Sequence, residues 1–149
     1  MAIIDTGAFG DPKNGITRLT TAISKVQGEF QPQRAELQRL RQQYEGLTAE
    51  IGKTKDLANR QELQKKVDQA EGLKREIERK AEDAQIAYNK RVQEVVGPLT
   101  NEISQAINAF VKRRGITLLL DASKLQDALL YASNSIDVTR EFIAEYNQQ

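Results

Sequence analysis

The chain has 149 residues, with 22 Lys plus Arg against 21 Asp plus Glu and a formal net charge of +1. It has no His and no Cys. That rules out imidazole and thiolate metal centres, and also any Ser-His-Asp or Cys-His nucleophile, because the base is missing. Charged residues make up 29% and aromatics 5%, a balance that suits long solvated helices and argues against a strongly basic nucleic-acid coat.

In chain order, Ala2-Ile3-Ile4 is a short apolar strand ending at Asp5. The start lacks a basic region followed by an apolar stretch, so the chain reads either as cytosolic or as one whose signal peptide has been removed. No apolar run approaches the ~18 residues of a membrane span. From Ile16 a heptad series begins: Ile16, Leu19, Ile23, Val26, Phe30, Gln33, Leu37, Leu40, Tyr44, Leu47 and Ile51, of which only Gln33 is not apolar. This is a coiled-coil seam, predicting a helix ~55 Å long. Pro32 should kink it, and Gly28 and Gly46 weaken it.

A break is expected at Gly52–Asp56. Asn59-Arg60-Gln61-Glu62 then has the form of a capping box, with Asn59 at the N-cap and Glu62 at N3. A second apolar series runs from Leu63 through Ile77, Ala81, Ala84, Tyr88, Val92, Val95 and Leu99 to Phe110. Its spacing drifts toward ~3.6–3.7 residues per turn. The pairs Glu62–Lys66, Glu71–Arg75 and Glu76–Lys80 line a solvated face. Gly97-Pro98 should bend or interrupt this helix, and Gly115 should end it after Lys112-Arg113-Arg114. Two long helices joined by a short turn read most simply as an antiparallel hairpin.

Beyond the helices, Ile116–Leu120 reads as a second strand ending at Asp121 and Ala128–Ala132 as a third. Ser133-Asn134-Ser135 is turn chemistry. Thr139 is expected to N-cap a closing helix carrying Phe142, Ile143 and Tyr146. The predicted architecture is thus mainly α with a small β head, the long antiparallel coiled-coil hairpin being inserted in a small β-domain. Residues 1–14 plus 115–149 form the α/β head and 15–114 the arm, with its tip near 52–59. A head of three short strands leaves open edges and a thin core, so heads from several chains are expected to combine. Ile3, Ile4, Leu118, Leu120, Leu129 and Tyr131 are the expected contacts between copies.

These segments carry a family resemblance. The strand Ala2–Thr6 leads into a charged coiled-coil insertion. The chain returns through Gly115-Ile116-Thr117-Leu118-Leu119-Leu120-Asp121-Ala122-Ser123, then Leu130-Tyr131-Ala132 and Ile136–Ile143. The whole chain resembles the Skp/OmpH family of periplasmic chaperones. The resemblance implies a jellyfish-like homotrimer whose helical arms enclose a cavity, holding unfolded outer-membrane proteins without ATP. It also implies a periplasmic location.

Charge is unevenly placed. Residues 15–114 carry net +5 and the remainder net −4, so a basic arm would attract acidic unfolded chains in a salt-dependent way. Lys53, Lys55, Arg60, Lys65 and Lys66 cluster near the tip, as candidates for transient contact with a membrane surface or simply as a solvated end. Asp5 and Asp121 end strands, where they read as turn caps in preference to a catalytic carboxylate pair. The glycines follow no phosphate-binding spacing. No catalytic, cofactor-binding or metal-binding residue is expected, nor a specific nucleic-acid partner. The alternatives to a holdase are a structural or adaptor coiled coil, and an envelope-surface or nucleic-acid binder using the basic arms.

Overall fold

A computed structural model describes residues 1–54, 59–125 and 128–149. The apolar run Ala2–Ile4 forms strand β1, fully buried. It pairs in parallel with β2 (Leu119–Asp121), Ala2 opposite Leu119 and Ile4 opposite Asp121. The other edge of β1 is taken by Asp137, which bridges Ile3, with the Val138 amide donating to the Ile3 carbonyl at 3.0 Å. The expected third strand over 128–132 is not formed: Leu129–Ala132 has no regular structure, and the edge of β1 away from β2 is taken by residues 137–138. β2 begins at Leu119, three residues later than the expected Ile116.

Helix α1 (Thr17–Glu29) and α2 (Gln31–Thr54) divide at Phe30. Pro32 thus falls in the first turn of α2, where its missing amide leaves no helical bond unmade. Helix α3 (Arg60–Arg113) begins where expected, with Asn59 Oδ1 accepting from the Gln61 amide at 3.1 Å. It runs through Pro98 without the expected interruption. It ends in a Schellman turn: Ile116 N–H donates to the Val111 carbonyl and Gly115 N–H to that of Lys112, with Gly115 at φ 62°. A one-turn helix α4 (Ala122–Leu125) follows β2, and α5 (Thr139–Tyr146) closes the chain. Val138 occupies the N-cap of α5 in place of the expected Thr139. The Thr139 hydroxyl is committed elsewhere, donating to Asp137 Oδ1 at 2.5 Å and accepting from the Asp5 amide at 2.8 Å.

The chain forms two compact units, Met1–Val26 with Val92–Gln149, and Gln27–Arg91. The core of the first joins Ile4, Phe9, Ile16, Ile103, Phe110, Phe142, Ile143 and Tyr146. Phe142 packs against Phe9 at 5.4 Å, edge-on to Phe110 at 5.5 Å and beside Tyr146 at 5.9 Å. Ile103 and Phe110 come from the C-terminal part of α3 and Ile16 lies just before α1; they thicken a core that the flanking segments alone leave thin. In the second unit α2 packs on α3. Glu50 meets Lys66 at 3.2 Å and Glu36 meets Lys80 at 3.8 Å, so position rises along one helix as it falls along the other.

Candidate functional site

The strand ends are built from turn chemistry. Asp5 caps the 3-10 turn Thr6–Gly10 by accepting from the Gly7 amide at 2.8 Å. Asp121 accepts from the Thr6 amide and hydroxyl at 3.2 and 2.6 Å, and from the Ser123 amide and hydroxyl at 3.1 and 2.7 Å. Partial burial opposes ionisation of Asp121, but these donors outweigh it and hold the carboxyl below the ordinary aspartate range. Asp11 is likewise lowered by the Asn14 and Lys13 amides it accepts. Asp5, Asp11 and Asp137 face an open crevice of about 860 Å³ together with Thr139 and Arg140. Each carboxylate there already caps backbone or hydroxyl donors, so the group organises loops in preference to acid–base chemistry. Among the described residues no three His, Cys, Asp or Glu side chains converge as metal ligands.

The expected contacts between copies divide by exposure. Ile3 and Ile4 are buried within the single chain, and Leu120 and Leu129 are half-buried. Leu118 is 48% exposed and Tyr131 83% exposed. Leu130, which sequence reasoning did not single out, is 95% exposed. Alternation along an expected strand would have turned one of Leu130 and Tyr131 inward; without a strand both face solvent.

On the second unit, cross-helix ion pairs take their acids from the first half of the chain and their bases from α3: Glu29–Arg91, Glu36–Lys80 and Glu50–Lys66. Glu36 also accepts from Arg39, whose hydrogen bond lowers its pKa. Phe30 meets Tyr88 edge-on at 5.4 Å. Of the expected tip residues, Lys53, Arg60 and Lys65 are exposed and Lys66 is half-buried in its pair with Glu50. Lys55 lies outside the described residues. Among the described residues no helix is long and apolar enough to cross a membrane.

Comparison with known proteins bears on both units. A model of the family described as "Outer membrane protein (OmpH-like)" matches residues 13–146. No curated protein sequence matches the chain. Among solved structures, a Caulobacter crescentus protein named as a candidate outer membrane chaperone (OmpH-like) is similar, with a TM-score of 0.58 at 17% identity. The match covers 99% of this chain and 83% of that one. At that identity the likeness is one of fold.

Proposed function

The chain belongs to the OmpH-like outer membrane protein family, and we propose that it is an ATP-independent holdase chaperone of the bacterial periplasm. Its clients are unfolded outer-membrane proteins. Its head, residues 1–14 with 115–149, joins three copies through Leu118, Leu120, Leu129 and Tyr131. Residues 15–114 form a supercoiled hairpin arm, and three arms enclose the client. The observation that carries this reading is the family match over residues 13–146, which spans both compact units.

Capture is spread over many weak contacts. Interfaces built on hot spots favour Trp, Tyr and Arg clusters, and this chain has no Trp and only 5% aromatics. Binding energy then comes from summed apolar and charge contacts, with three arms acting as linked sites. The net +5 of residues 15–114 draws in acidic segments. Release follows when the client finds a better sink, its own folded core or a membrane, toward which the basic tip can turn.

The test is suppression of aggregation of an unfolded outer-membrane protein diluted from urea, without nucleotide. The full chain should suppress it at stoichiometric amounts. A variant lacking residues 34–78 should lose suppression yet keep the oligomeric state of the full chain. If the shortened chain holds clients as well as the full one, the arms are not the holding surface.

A further inference from the structure

The cross-helix ion pairs of the second unit also record its register. Between Glu50–Lys66 and Glu36–Lys80, fourteen residues of α2 answer to fourteen of α3. Between Glu36–Lys80 and Glu29–Arg91, seven residues answer to eleven. Seven helical residues rise about 10.5 Å and eleven about 16.5 Å. The non-helical residue Phe30 and the reach of the side chains absorb part of that difference. The slip falls where the heptad spacing of the first series faces the eleven-residue spacing Ile77 to Tyr88 in α3.

Packing fails to follow the slip. Two cavities of about 290 and 300 Å³ open beside it, sharing Phe30, Gln33, Leu37 and Ala84 in their walls. Each is many times a water molecule's share of ~30 Å³. Gln33, the polar exception in the heptad series, is exposed here, where a larger apolar residue would fill the gap. The second cavity adds Tyr88 and is flanked by Arg34 and Arg41. These two arginines are seven residues apart, hence on one face of α2, and both are exposed with no carboxylate partner among the described residues.

We propose that the cavity beside Arg34 and Arg41 is a docking niche for one aromatic side chain of an extended client segment, with acidic residues two positions before and after it. The aromatic ring enters between Phe30, Leu37 and Ala84. Alternate residues of an extended chain share a face, so the two flanking acids stand ~13 Å apart. That spacing is within reach of two long arginine side chains anchored about 10.5 Å apart along the helix. The niche rests on the holdase reading and names a preferred contact within it.

The experiment uses the full chain and two labelled soluble peptides, Asp-Ser-Phe-Ser-Asp and Asp-Ser-Ser-Ser-Asp in a Gly/Ser host, followed by fluorescence anisotropy. The Phe peptide should bind at least fivefold more tightly. Ala84→Leu, which fills the cavity, should erase that preference, and so should Gln33→Leu as the independent second variant. Thermal melts identify which of the two keeps its fold. Arg34→Gln with Arg41→Gln should weaken both peptides at least threefold and flatten their salt dependence, whereas Arg75→Gln should change nothing. Equal binding of the two peptides by the wild-type chain, or a Phe preference that survives in a folded cavity-filling variant, overturns the niche. Aggregation suppression by the wild-type chain, measured alongside, separates the two claims: if it persists while the peptides bind equally, the niche fails and the holdase reading stands.

Discussion

Gly15 shows how tightly single positions are set. A Cβ there would lie 2.4 Å from the Phe9 carbonyl oxygen and 2.5 Å from that of Asp11, both backbone atoms that also accept the Ile16 and Gly15 amides. Gly15→Ala should therefore cost about 3 kcal/mol, the upper range for a point change, read as a lowered urea midpoint. Tyr146 is the opposite case: its hydroxyl is buried with no hydrogen-bond partner among the described residues, so Tyr146→Phe should raise stability by about 1 kcal/mol by removing an uncompensated desolvation. Asp121 makes stability pH-dependent. Its folded pKa lies below the unfolded value of ~3.9, so its contribution is complete above that value and is lost as pH falls through the lower folded one. Asp121→Asn should flatten acid unfolding below about pH 4 in a pH series of denaturant melts. The turn roles of Asp5 and Asp121 were legible because Gly7 and Ser123, two residues on, supply the donors. The cap of α1 was not. The Thr17 amide donates to Asn147 Oδ1, 130 residues away, and no local pattern announces such a partner.

Helices read well at the scale of elements because their signals are local. The Asn59 cap, the Gly115 stop and the two apolar series all stand in the sequence, and α3 begins and ends beside them. Interruption at Pro98 did not follow, since a helix of 54 residues holds one missing amide within a long cooperative ladder. The proline still costs helix stability, so Pro98→Ala should stabilise the fold by up to ~3 kcal/mol, read as a raised thermal midpoint followed by circular dichroism. Strands read poorly. Ala128–Ala132 has strand composition, but pairing depends on which edge is open, and residues 137–138 close that of β1. Leu130 and Tyr131 stay exposed outside any strand, an outcome that composition cannot resolve.

At the scale of the whole molecule, the chain leaves Leu118, Leu130 and Tyr131 exposed, and among the described residues its sheet has two strands. Covering that apolar surface is what the proposed joining of three heads would accomplish. Leu118→Asp or Tyr131→Asp should therefore give folded monomers, because neither side chain supports the single-chain core. In the proposed holdase, the division into a basic segment, net +5, and acidic flanks, net −4, would place attraction for clients on the arms, so capture should weaken with salt. These features meet in one quantity: the mass, by multi-angle light scattering without nucleotide, of the complex formed when an unfolded outer-membrane protein is diluted into the chain. The account predicts a mass of three chains plus one client. A client that elutes or aggregates apart from the chain, or a complex of one chain with one client, would contradict it.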